Sequence, residues 1–157
     1  MLSTLTRRSV PRAERGVMLI EALIGILIFS IGILALIAMQ AQAFRQVAEA
    51  KYRADASYLA NSIIGRIWTD RANIASYAHR PNDTAGQNCQ PTGTNSSYNY
   101  MTAVWLPKVE ATLPGASASL QQVKVDTTTN QVTVSVCWVS PQDNLPHRHI
   151  VTAYINV

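Results

Sequence analysis

Three groups of residues in this chain have the side chains and spacing to bear chemistry. The first is Glu21, the one charged residue in an apolar run from Val17 to Phe44. An ionised carboxylate at bilayer depth costs roughly 2.5 to 3.5 kcal/mol on insertion scales, so it calls for a compensating partner or a functional reason. Val17 stands four positions before it, and on a helix the two share a face. The second group is Cys89 and Cys137, available for one bridge or as two free thiols. Two cysteines without a close CxxC spacing do not build a zinc centre. The third is His147 and His149, which would share one face of a strand and so qualify for a check as ligands. Such pairs usually belong to the surface, and no metal or cofactor is expected. There is no Walker-type glycine loop, no H-E-x-x-H and no G-x-S-x-G elbow, and the three histidines and scattered acids form no recognisable triad or carboxylate dyad. The chain is therefore not expected to be an enzyme.

The element that must position Glu21 is a membrane-length helix. Arg7, Arg8, Arg12 and Arg15 precede the run, which places the N-terminus on the cytoplasmic side and predicts export of the C-terminal remainder of the chain. The formal charge of +4 belongs largely to this leader, because residues 17–157 carry nine basic and eight acidic side chains. A basic footprint for nucleic acid is therefore missing downstream. A secretory signal peptide cut after Ala41-Gln42-Ala43 is the competing reading, but the run exceeds the roughly 7 to 15 apolar residues of such signals and carries Glu21 near its start. Gly25 and Gly32, seven apart, fall on nearly one face; they either let backbones approach closely or are tolerated without a partner.

Helical character continues past the membrane run. Tyr52, Ala56, Leu59, Ile63 and Ile67 recur at helical spacing, joined by Ala60, Ile64 and Trp68. An unbroken helix from Val17 to about Tyr77 would be roughly 90 Å long. Pro81 closes the pattern, and Asn82 to Asn99 reads as a loop. Met101 to Leu113 has the spacing of a short helix, complicated by Pro107 and ended by Pro114-Gly115. Val132, Val134, Val136 and Trp138 alternate as a half-buried strand, with Val123 and Val125 before it and Val151, Ala153, Ile155 and Val157 after the Pro141 to Pro146 turn. The fold class is α+β, with an antiparallel meander whose one apolar face is covered by the long helix. Given export, a Cys89–Cys137 disulfide is favoured over two free thiols, and closing that loop would stabilise by about 4 kcal/mol on the chain-entropy model.

The stretch Arg15-Gly16-Val17-Met18-Leu19-Ile20-Glu21 resembles the prepilin signature of type IV pilins and of the pseudopilins of type II secretion. The resemblance implies a leader over 1–16 that a dedicated peptidase removes after Gly16. Val17 becomes the first, N-methylated mature residue and Glu21 the fifth. The sequence departs from the family's usual pattern in having valine at 17 and no proline near Ala38. Ile28-Phe29-Ser30-Ile31-Gly32-Ile33-Leu34-Ala35-Leu36, then Met39-Gln40-Ala41 and Ala56-Ser57-Tyr58-Leu59-Ala60, narrow the likeness to minor pilins of the PilV type over about the first 70 residues. What this implies is a pilin-like fold: an assembly helix over 17–44, its amphipathic continuation over 45–80, and a globular domain over 81–157. It also implies an inner-membrane precursor with a periplasmic domain that enters a pilus after processing and supports motility and adhesion. The implied partners are the prepilin peptidase, other minor pilins, the major pilin and the assembly platform.

The motif also has a physical logic of its own. A cut after Gly16 creates a cationic amine at a helix N-terminus, where it opposes the macrodipole and gains from a nearby carboxylate. Glu21 supplies one, either to its own amine or to a neighbour's. A minor pseudopilin of a type II secretion system is the nearer alternative. A periplasmic binding protein or enzyme held by a signal anchor is the farther one.

Overall fold

The computed structural model describes residues 15–83, 89–142 and 144–155. Residues 1–14 of the expected leader over 1–16, and Val157, expected to close the last strand, lie outside the described residues. The chain divides into two compact units, Met1–Phe44 and Arg45–Val157.

Helix α1 covers Arg15–Thr69. Leu, Ile and Ala dominate its first half, and no proline interrupts it, so every backbone group can find its partner four residues away. From Val17 to Phe44 every side chain is exposed, and the helix is long and apolar enough to cross a membrane. It ends earlier than the pattern predicts. Asp70 leaves helical geometry at φ −132°, and its N–H donates to Ile67 O three residues back (3.1 Å). A 3₁₀ turn over Arg71–Tyr77 follows. Arg66 in the last turn complements the negative end of the dipole.

Within the second unit, the stripe of α1 forms one wall of the core. Ala56, Leu59, Ala60, Ile63 and Ile67 are fully buried among Met101, Trp105, Val109, Val123, Val132, Val134, Val136 and Trp138. Trp68, expected in this stripe, is 37 % exposed instead. It lies about 100° round the helix from Ile67, and its ring takes the Arg71 guanidinium at 5.3 Å. Trp105 Nε1–H donates to Leu59 O at 3.0 Å, fixing the indole against the helix backbone.

The segment expected as one short helix begins as a π turn over Met101–Trp105, in which Leu106 N–H reaches back to Met101 O. Helix α2, Leu106–Thr112, follows with Pro107 in its first turn. The fixed φ of proline is already the helical one, which suits it to this first turn.

Strands β1 (Gln122–Asp126), β2 (Gln131–Val139) and β3 (Pro146–Tyr154) form an antiparallel sheet in the order β1-β2-β3. Val134 stands opposite both Val123 and Val151, so one face is a band of valines. β3 starts earlier than expected, at Pro146, a position an edge strand tolerates at its first residue. Asp126 Oδ1 accepts the N–H of Thr128 (2.8 Å), and Asn130 takes φ +53° to close the β1–β2 turn. The Thr128 and Thr129 hydrogen bonds hold the Asp126 carboxyl below the usual carboxylate range.

The second face is mostly polar and open, with Lys124, Arg148 and Thr152 exposed, but its centre is covered. Ser135 and Cys137 are both buried. The fully buried Gln121 side chain accepts Cys137 N–H (2.9 Å) and donates to Cys137 O (3.0 Å), so its amide acts as an extra rung of β1.

Gly115 sits under the end of β2 at φ +60°, and an added Cβ would lie 2.8 Å from Val139 Cβ and 3.1 Å from Val139 O. The neighbouring Pro114 O accepts Val139 N–H at 3.0 Å, so the strand end cannot recede freely. Gly115→Ala is expected to cost about 2–4 kcal/mol, combining a left-handed backbone with overpacking. Urea unfolding checks this: the midpoint falls with the slope unchanged, and an unmoved midpoint would refute it.

Candidate functional site

Because α1 is helical throughout, the positions of its side chains follow at about 100° per residue. Gly25, Ile28, Gly32 and Ala35 fall within about 40° of Glu21. Leu19, Leu23, Ile26 and Ile37 occupy the opposite side. The acid therefore stands at the head of a narrow, small-residue stripe, with bulky aliphatic side chains behind it. An alanine Cβ at Gly25 or Gly32 would meet nothing within 4 Å, so within the chain neither glycine is required for space. Small residues of this kind let a second helix come close. The sequence pointed to Glu21, Gly25 and Gly32; the helix adds Ile28 and Ala35 to the same stripe.

Val17 is 62 % exposed at the beginning of this helix, four residues from Glu21. Among the described residues, the ion pairs are Lys51–Asp55 (3.3 Å) and Lys124–Asp83 (3.1 Å), and neither involves Glu21. Ser30, on the far side of the helix, has its hydroxyl satisfied by Ile26 O at 2.7 Å, so it brings no unpaired donor to an apolar surrounding.

In the second unit, Cys89 and Cys137 are joined as a disulfide with Cα atoms 5.8 Å apart, both nearly inaccessible. The bridge ties the segment after Pro81 to the centre of the sheet. His147 and His149 do share one face of β3, and it is the face turned toward the core rather than the surface. His147 stacks on Trp138 at 5.5 Å between ring centres. Among the described residues, no group of three or more His, Cys, Asp or Glu side chains is placed to hold a metal ion.

Two polar arrangements were not legible in sequence spacing. Glu49, on α1, accepts a hydrogen bond from Ser140 Oγ just beyond β2. At the other end of the domain, the Asp70 carboxylate accepts Tyr98 O–H (2.5 Å), Asn73 Nδ2–H (2.7 Å) and Tyr77 O–H (2.8 Å). These bonds, Tyr98 first, hold Asp70 below the ordinary carboxylate range. Burial and the same carboxylate push Tyr77 up, and the bond to Asp70 pushes Tyr98 up. Their partners come from the 3₁₀ turn and from a loop well downstream, so no periodicity announces them.

Among the described residues, fold and site together define an α+β layout with one candidate membrane-spanning helix, with an acid on an open small-residue stripe. The chain matches no known protein family, no curated protein and no solved structure.

Proposed function

We propose that the chain is a minor pilin of the type IV pilus, similar to the PilV type. It is made as an inner-membrane precursor, cut after Gly16 by a prepilin peptidase, methylated on Val17 and built into the fibre through α1. The observation that carries this reading is Glu21: an acid four residues after Val17 on a helix whose flanking side chains are all exposed. A buried charge without a partner is costly, and the amine released at Val17 is a partner of the right sign. If neighbouring helices stagger by about one turn, roughly 5.4 Å, the carboxylate of one copy meets the amine of the next. A head-to-tail contact of this kind does not close on itself and generates a helical filament.

In this reading the globular domain lies in the periplasm before assembly, where an oxidising environment sustains the Cys89–Cys137 bridge. The partners are other minor pilins, the major pilin and the assembly platform, engaged through the Glu21 stripe. The chain is a substrate of the peptidase and has no catalysis of its own.

The test is the N-terminal residue and mass of the mature protein from membranes of its native host. Methylated Val17 is expected. Met1 or Phe44 at the N-terminus would overturn the proposal in favour of a signal anchor or a cleaved secretory signal.

A further inference from the structure

His79 is buried to 1 % exposure where the chain leaves the 3₁₀ turn and pairs with β1. Its backbone exchanges two hydrogen bonds with Val123, each 2.9 Å. Both ring nitrogens are also committed. Ser96 N–H donates to Nδ1 at 3.1 Å, and Nε2 lies 2.9 Å from Ala118 O. A backbone amide cannot give up its hydrogen, so Nδ1 must be the bare acceptor and Nε2–H the donor. The neutral ring in this one tautomer joins three segments: the chain at 76–79, the loop at 95–98 and the turn at 118–120.

Ser96 makes this arrangement sensitive to a proton. Its amide is 92 % buried with its residue, by the 8 % exposure that remains. Its hydroxyl donates to Ser76 O (2.8 Å) and accepts Tyr98 N–H (3.2 Å). A hydrogen added to Nδ1 would point at the Ser96 N–H, two donors facing each other with no acceptor between. Leaving a buried donor unsatisfied costs about 1–3 kcal/mol. Beside this contact lies a cavity of about 250 Å³, lined by His79, Ser96, Thr102, Leu106, Glu110 and Ala118, which gives the released segment somewhere to move.

We propose that His79 is an acid-operated latch: protonation at Nδ1 detaches Ser96 and opens the 95–98 loop locally, while the sheet stays folded. Several charged groups bear on it. Arg80 adjoins His79 in sequence, its Nε–H spent on Pro91 O. From α2, Glu110 lines the same cavity and accepts Ala118 N–H at 2.6 Å. Lys124 on β1 is paired with Asp83. At the end of α1, Arg66 lies over Tyr100 and Asp70 is held by its tyrosines. The loop at 95–98 and the turn at 118–120 carry no charge. Burial and, to a smaller extent, Arg80 lower the proton affinity of the ring, against the Ala118 carbonyl, which raises it. The latch is therefore closed above the ordinary histidine value of 6.5 and loosens as pH falls through the lower folded value.

The test uses the full chain, ¹⁵N-labelled in detergent micelles, with ring ¹⁵N shifts and amide hydrogen exchange followed from about pH 7.5 to about 4.5 across the histidine range. The bare-Nδ1 tautomer is expected at the upper end. On protonation of the ring, Ser96 should lose protection by about tenfold or more relative to the intrinsic rate, with Val134 and Val136 unchanged. His79→Asn places an oxygen where Nδ1 stands, so its Ser96 protection should not vary with ring titration. Ser96 protection that persists through protonation of the wild-type ring would overturn the latch. So would simultaneous loss at the β2 amides, or an unchanged response in His79→Asn.

Discussion

Glu21→Ala is expected to abolish entry of the chain into filaments while leaving cleavage after Gly16 in place. In the filament proposed above, the substitution removes the one carboxylate on the α1 stripe and would leave the Val17 amine without its partner. Truncating one member of a desolvated charge pair costs about 2–5 kcal/mol, which is roughly a thirtyfold or greater loss of affinity at every helix-to-helix step. The globular domain keeps its core, because every residue of that core belongs to the second unit and Glu21 to the first. Immunoblots of sheared filaments against membranes read the result directly: mature protein accumulates in the membrane and vanishes from the filament fraction. Incorporation of Glu21→Ala at the wild-type level would show that the carboxylate sets no register.

Loss of the Cys89–Cys137 bridge should be the most destabilising change in the globular domain. By loop-closure entropy, the bridge contributes about 4 kcal/mol, against total stabilities of about 5–15 kcal/mol for a domain of this size. Cys89→Ser with Cys137→Ser is therefore expected to lower the melting temperature by on the order of 15–20 °C. Circular dichroism melts of the double variant and the reduced wild type should agree, and a shift below about 5 °C, or roughly 1 kcal/mol, would contradict the loop-closure account.

The sequence made the apolar helix, the core stripe and the meander legible because each is a repeating signal. Val132 to Trp138 alternates strictly, and Leu59, Ile63 and Ile67 recur every fourth residue, so burial of one member implies burial of the rest. Single deviations carried no such signal. Nothing in the spacing of Trp68 separates it from Ile67, yet one residue of rotation puts it on the rim. The stop at Thr69 depends on Asp70 finding three donors, two of them tyrosines whose rings also meet edge to face (4.8 Å). Gln121 closing on Cys137 and His79 on Ser96 are pairings between distant segments that only the fold brings together. For the candidate site the balance is reversed: Glu21, Gly25 and Gly32 were readable because a membrane helix exposes its logic along one short stretch. The inward direction of His147 and His149 was not, since a strand's period gives two faces without saying which is covered.

The contact between Trp105 and Leu59 also has a mechanical consequence. Leu59 O accepts the indole at 3.0 Å and the Ser62 hydroxyl at 2.8 Å, in the middle of a helix that carries the whole aliphatic stripe. α1 cannot slide by one residue, about 1.5 Å, or turn by about 100°, without breaking the indole bond and lifting every stripe residue out of its seat. Tension applied along this helix would load the core in shear, many contacts at once, and the domain would resist as a keyed shaft does in its collar.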